Sequence, residues 1–302
     1  MSSESASQSI PAKAKLLAFF ELTKPRIAFM VLLSIAAAAV VAAGGSPGIG
    51  PVVNVGLGMF LVAASGNAAN MYIERYTDFL MPRTARRPLP DKRLTAGEVA
   101  SFAAVTFGIG AGYLLATMPA GVLLVACGAW LLYVLVYTPL KVITPLNTEV
   151  GAIAGALPVL VGAMAPGVPL SVAAWSFFLV LVFWQFPHFM AIAWMYREDY
   201  RQGGIKMITV TEPTGRAAGR KAIILAILTT VVSIGPVFTF STGMLPWIFG
   251  IVSVLLGAWY LSASIRFARQ PDQQTARRLL RVSVYYLPLY MIGLVTLACL
   301  VK

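Results

Sequence analysis

Residues 65–93 read SGNAANMYIERYTDFLMPRTARRPLPDKR. An apolar run ends here in Asn70, Glu74 and Asp78, spaced i, i+4, i+8. At 3.6 residues per turn, all three fall within an arc of about 80° on one helix face. A basic, proline-broken segment follows at once, carrying Arg83, Arg86, Arg87, Lys92 and Arg93. Acids at the end of a membrane-length apolar run are costly without partners or water, so their spacing marks a functional site. The basic segment alone reads as an ordinary positively charged loop. Together, carboxylates and arginines suit the capture of a divalent cation and a multiply charged anion such as diphosphate.

Apolar runs recur on both sides of this stretch, through a chain of 302 residues that is 59% hydrophobic and 11% charged. A soluble enzyme is excluded. The expected fold is all-α: a polytopic membrane protein whose helices enclose a central cavity open to the cytoplasmic side. Nine spans are predicted, at about 27–43, 52–73, 97–117, 120–138, 148–165, 172–195, 221–240, 246–266 and 283–301. With these spans, every Lys and Arg except Lys302 falls on one side. The opposite loops (GGSPGIGPVVN, TMPA, APGVPL, STGMLP) carry no charge. The positive-inside rule puts the N-terminus in the cytoplasm and the C-terminus outside, across the cytoplasmic (inner) membrane. Topology thus explains the net charge of +12, and no nucleic-acid partner is called for. Residues 1–20 are expected to form a disordered cytoplasmic tail, and residues 21–302 a single transmembrane domain.

Other residue types narrow the chemistry. Cys127 and Cys299 both fall inside spans, which indicates neither a disulfide framework nor a zinc site. His188 is the only histidine, excluding a bis-histidine haem and an HExxH metal site. The absence of a Walker A sequence argues against an ATP-driven pump.

Further polar islands lie on the charged side. In ELTKPR (21–26), Pro25 suits a helix start, while Lys24 and Arg26 either anchor the interface or reach toward an anionic substrate. In YTPLKVITPLN (137–147), Tyr137, Lys141, Thr144 and Asn147 crowd a short connection, read as an interfacial turn or as lining of the same cavity. The sixth span runs into residues 184–207. If helical throughout, Asp199 lies eleven residues beyond His188, offset by only about 20°, with Trp184 on the same stripe. Pro187 is a candidate kink. The two acid-bearing ends recur four spans apart, suggesting a weak internal repeat facing one shared cavity. Gly108 and Gly112, like Gly151 and Gly155, have the GxxxG spacing of close helix packing. Residues 268–281 (ARQPDQQTARRLLR) read as a basic interfacial loop, and Tyr285, Tyr286 and Tyr290 as an aromatic belt or cavity lining.

These residues resemble the membrane-embedded UbiA-type aromatic prenyltransferase superfamily. Its first motif, Asn-x3-Asp-x3-Asp, reads here Asn70-Met-Tyr-Ile-Glu74-Arg-Tyr-Thr-Asp78. Glu74 keeps the charge of the usual aspartate and extends its reach by one methylene. The continuation Arg83-Thr84-Ala-Arg86-Arg87-Pro88-Leu-Pro90 is similar to the RT-x2-RP-x-P form of the branch that farnesylates haem. LTKPRI (22–27), residues 137–162 and residues 184–207 match the same branch. The second superfamily motif, normally two aspartates four apart, shrinks to Glu198-Asp199 preceded by His188. That departure points away from hydroxybenzoate and chlorophyll prenylation. Lys206 stands where the family commonly has proline.

The resemblance implies transfer of farnesyl from farnesyl diphosphate to the 2-vinyl group of haem b, with addition of water. Haem is then a substrate and not a fixed cofactor. It implies Mg²⁺ on Glu74 and Asp78, oriented by Asn70, with Asp199 holding a second Mg²⁺ or a water. Arg83, Arg87, Lys141 and Arg26 would neutralise the leaving diphosphate. Trp184 and Phe186 would face the allylic cation. Tyr137 and Asn147 would line the cavity. His188 would contact the haem or act on the proton and water steps. A haem A synthase or the assembly of a terminal oxidase would receive the product. One rival is the same donor with another aromatic acceptor, such as a quinone precursor. A second is a transporter, but chargeless outer loops favour an enzyme with polar groups at one end.

Overall fold

The structure, a computed structural model, describes residues 11–301. Every regular element among them is helical. α1 (Ala12–Leu22) precedes the first span, α2 (Pro25–Ala42). α3 (Ile49–Ile73) leads into the short α4 (Arg75–Leu80), and α5 (Ala96–Thr117) returns along α3. α6 (Ala120–Leu131) continues through a π-helical turn, Leu132–Tyr137, into α7 (Thr138–Leu140). α8 (Asn147–Met164) and α9 (Val172–Met195) follow, then the short α10 (Arg197–Gln202) and α11 (Ile208–Thr211). α12 (Arg216–Val232), a 3₁₀ turn at Gly235–Phe238, α13 (Leu245–Arg269) and α14 (Gln273–Leu300) complete the bundle.

Nine helices among the described residues are long and apolar enough to cross a membrane, matching the predicted spans to within a few residues except at the first turns of α12 and α14. Spans adjacent in sequence pack on one another, and α14 closes on α2, so the helices form a ring. Their outward side chains are large and apolar, for example Leu115, Leu124, Ile251 and Leu255. Their inward faces are largely alanine, valine and aromatic residues. Such a bundle pairs backbone polar groups within its own helices, as a lipid environment requires.

Three sequence expectations change. Residues 12–20 are helical, so the tail expected through residue 20 ends earlier; residues 1–10 lie outside the described residues. α1 folds because Ala18 and Leu22 dock beside Ala68, Met71 and Leu94. Ion pairs from Lys15 to Glu98 and from Arg93 to Glu21 hold it there. The stretch 268–281 is likewise mostly helix. Asp272 caps α14 by accepting from the Thr275 N–H at 2.8 Å in a reciprocal capping box, and Ala276 and Leu279 bury one face of the added turns. Finally, Gly108 and Gly112 face open space. It is Gly110, between them, that meets α3: a Cβ there would lie 2.8 Å from Leu61 Cβ and 3.0 Å from the Val62 nitrogen.

Candidate active site

The ring encloses a cavity of about 680 Å³ that runs from the charged end of the bundle down between α3, α8 and α9. Its mouth is built from the first polar stretch. α3 ends at Ile73, so Asn70, Glu74 and Asp78 do not share one unbroken helix. The i→i+4 register nevertheless persists across the junction: Glu74 N–H donates to Asn70 O at 2.9 Å, and Asp78 N–H to Glu74 O at 2.8 Å. All three side chains therefore still line the cavity, each less than a tenth exposed.

Each acid has a cation. Lys141, just past α7, donates to Glu74 Oε1 at 2.6 Å. Arg87 grips Asp78 with Nη1 at 2.8 and 2.7 Å from its two oxygens and lies 3.8 Å from Glu74. Thr84 ties the intervening loop down by donating to the Asp78 carbonyl at 2.8 Å. A third cation, Lys24, has only neutral hydrogen-bond partners among the described residues, Asn70 Oδ1 at 3.0 Å and Tyr133 OH at 3.4 Å. Lys24 adopts φ of 49°, a left-handed conformation unusual for a side-chain-bearing residue, directly before Pro25. With Arg26 and Arg83 also lining the cavity, cations outnumber the two carboxylates whether or not Lys24 is charged, which suits an incoming anion.

The protonation energetics follow from this packing. Burial, then the charges of Arg87 and Lys141, push the Lys24 ammonium down to about 7. Burial raises Glu74, but Lys141, with help from Lys24 and Arg87, brings it below its ordinary value. Burial lifts the Asp78 carboxyl against the pull of Arg87. Lys141 is desolvated, yet Glu74 holds it above the usual lysine range.

The wall is aromatic and then apolar. The π-helical turn brings Tyr133 and Tyr137 to the same side, stacked at 5.5 Å, and Lys141 lies 4.6 Å over the Tyr137 ring. π turns recur at functional sites because the extra residue re-aims side chains. Gly151 is the surface this ring rests on; a Cβ there would lie 2.6 Å from it. Asn147 donates to Thr144 O at 2.7 Å and Lys206 O at 3.1 Å, joining the two inner connections. Deeper in, Trp184 and His188 of α9 stack at 5.0 Å. Met59, Val62, Leu181 and Leu287 complete the apolar part.

The structure thus gathers Asn70, Glu74, Asp78, His188, Arg26, Arg83, Arg87, Tyr137, Lys141, Asn147 and Trp184 around one cavity. Asp199 is not among its lining residues. α9 runs unbroken past Pro187 and stops at Met195; Tyr196 turns the chain into α10, and the i→i+4 bonds from Tyr196 N–H to Ile192 O and from Tyr200 N–H to Tyr196 O, both 3.0 Å, cross that turn without bringing in Asp199. Its neighbour Tyr200 faces the cavity instead and accepts a hydrogen bond from Arg83 at 3.2 Å. Of the two readings given for Lys24, interface anchor or reach toward an anionic substrate, its place at the cavity supports the second; Tyr133 and Tyr200 carried no sequence signal.

Among the described residues, no three His, Cys, Asp or Glu side chains converge to hold a metal by themselves. Glu74 and Asp78 supply two carboxylates at one mouth, a hard-oxygen donor set suited to Mg²⁺ if an anion completes the shell. The residues therefore fit a metal that arrives with its anionic substrate.

A helical ring around an apolar chamber with an acid-and-arginine mouth defines a membrane prenyltransferase. The family model described as UbiA prenyltransferase family matches residues 31–287, and the chain belongs to that family. It is 40% identical over 279 residues to a protoheme IX farnesyltransferase of Rhodopirellula baltica, covering 89% of this chain and 95% of that one. It is 37% identical over 294 residues to that of Solibacter usitatus, covering 90% and 95%. The fold is shared with a digeranylgeranylglyceryl phosphate synthase structure at a TM-score of 0.79 and 17% identity, covering 94% of this chain and 99% of that one. It is also shared with a UbiA homologue of Archaeoglobus fulgidus bound to DMAPP and Mg²⁺, at a TM-score of 0.68 and 15% identity, covering 92% and 99%.

Proposed function

We propose that the protein transfers the farnesyl group of farnesyl diphosphate to a vinyl group of haem b, releasing diphosphate and adding water. The observation that carries this reading is the mouth: two carboxylates and an excess of cations at the entrance of a cavity that is otherwise apolar. The relatives named above supply the acceptor.

Farnesyl diphosphate is an allylic ester, so the barrier is loss of diphosphate. The C1–O bond breaks and its electron pair leaves with the phosphate. Arg87, Lys141, Lys24, Arg83 and Arg26 stabilise the charge that develops on the leaving oxygens. Glu74 and Asp78, oriented by Asn70, would hold Mg²⁺, which would supply further neutralisation of the diphosphate. Asp199 would join this set, holding a second ion or a water, only by an inward shift of α10. The allylic cation lies among Trp184, Phe189 and the tyrosine pair, whose ring faces are electron-rich and whose packing excludes water; Phe186, expected to face it, is not among the lining residues and packs in the core with Lys221 over its ring. The terminal vinyl carbon bonds to C1, and the cation left beside the macrocycle takes up water and loses a proton.

The mouth lies at the charged end of the bundle, which the positive-inside rule places in the cytoplasm, with the product passing to haem A synthase or oxidase assembly. The test is an assay on purified protein with haem b, hydroxybenzoate and homogentisate in parallel, each with and without EDTA. Haem should gain the mass of farnesyl plus water, and only with metal present. Inert haem beside a prenylated quinone precursor would overturn the acceptor assignment.

A further inference from the structure

Ser283, on α14, stands opposite His188 on α9. Its hydroxyl donates to the Leu280 carbonyl at 2.6 Å and lies 2.8 Å from His188 Nδ1. A hydroxyl has one proton to give. With that proton committed to Leu280, the second contact is a bond only if Nδ1 carries hydrogen and donates to Ser283 Oγ. A neutral ring so held keeps its lone pair on Nε2. Among the described residues Nε2 has no hydrogen-bond partner, and it is not one of the fully enclosed unpaired atoms. His188 lines the cavity, so this lone pair opens onto it.

The ring is also fixed from a second side. Trp184 stacks on it at 26° between planes, and the Trp184 indole N–H donates to the Ser283 carbonyl at 2.8 Å. Tyr260 in turn donates to the Trp184 carbonyl at 2.8 Å. One residue of the last helix therefore anchors both aromatic side chains. An imidazole whose far N–H is tied to a fixed acceptor, with its other nitrogen facing a void, is how metal-binding histidines are held. The proposed acceptor brings an iron atom into this same void.

We propose that His188 Nε2 is an axial ligand to the iron of the haem acceptor, and that Ser283 is the positioning residue that fixes its tautomer. This rests on haem being the acceptor. Ligation would seat the macrocycle at one depth, presenting its vinyl edge to farnesyl C1 at the mouth.

The test titrates the purified full chain with haem b and with iron-free protoporphyrin IX, followed by absorption and EPR. Wild type should show nitrogen ligation of iron and bind haem on the order of tenfold or more tighter than the iron-free porphyrin. His188→Ala should lose the nitrogen signature and the preference, and free imidazole should restore the signature. Ser283→Ala should weaken haem binding about tenfold while leaving the iron-free porphyrin unchanged. Ser283→Thr, which keeps the hydroxyl, should recover it. An unaltered iron spectrum in His188→Ala, or equal affinity of wild type for both porphyrins while haem is still farnesylated, would overturn the ligation and leave the proposed function standing. Haem that neither binds nor reacts would overturn both.

Discussion

Lys141 Nζ and Glu74 Oε1 meet at 2.6 Å across two different spans, and both side chains are largely withdrawn from solvent. The pair fastens the inner connection after α7 to the end of α3. Removing one member strands the other as an uncompensated charge, which costs about 3–5 kcal/mol where burial is complete and less at a cavity mouth. Lys141→Met should therefore lower the melting temperature and turnover together. Adding Glu74→Gln should recover most of the stability and none of the turnover, because diphosphate and metal both need these charges. Thermal unfolding in detergent and initial rates check the two readouts. Recovery of turnover in the double variant would remove both residues from the reaction.

Asp78 is fully enclosed, and Arg87 holds both its carboxylate oxygens. Asp78→Asn preserves shape and an acceptor for Arg87, and the Thr84 anchor goes to the backbone carbonyl and is untouched. The fold should survive. Turnover should fall by about 10²–10³, the usual cost of removing one preorganised electrostatic partner of a transition state. Residual activity should become insensitive to added Mg²⁺. Wild-type rates at every Mg²⁺ concentration would exclude Asp78 as a metal ligand.

How much of this was legible in the sequence depends on the range of the interaction. Asn70, Glu74 and Asp78 were readable because a short-range helical register persists even though α3 breaks at Glu74. The spans were readable because lipid demands long apolar helices. Asp199, read on one stripe with His188, lies beyond the end of α9 and outside the cavity lining, and the turn at Tyr196 has no proline or glycine to announce it. Ser283 carried no signal at all: its role depends on α14 meeting α9, a contact between residues 95 apart. Lys24 was half legible, since the proline after it marked a helix start while its left-handed turn into the cavity is a tertiary effect.

The glycine pattern gives a sharper test of helix packing. GxxxG spacing singles out Gly108 and Gly112, but only Gly110 between them touches α3. Gly108→Ala and Gly112→Ala should be neutral or slightly stabilising, because alanine favours a helix by up to about 1 kcal/mol over glycine. Gly110→Ala should destabilise by about 1–3 kcal/mol, since its methyl would press on Leu61 and the Val62 backbone. Melting temperatures of the three single variants decide it. Equal losses at Gly108 and Gly110 would mean that α5 presents a different face.

Lys24 sets the pH dependence. Its folded value of about 7 lies below the ordinary 10.5, because burial and the charges of Arg87 and Lys141 disfavour the ammonium. Below pH 7 both the folded and unfolded chains carry this proton. Between about 7 and 10.5 the unfolded chain holds a proton that the folded one has released, so this residue makes stability rise with pH across that window. Diphosphate binding has the opposite dependence, because it needs the charged form. kcat/KM for farnesyl diphosphate, which reports on the free enzyme, should therefore fall as pH rises through about 7. Lys24→Arg keeps its charge throughout and should flatten that fall. Lys24→Gln should show the low alkaline value at every pH. A wild-type profile that stays level from pH 6 to 9, at roughly constant ionic strength, would exclude Lys24 from diphosphate binding.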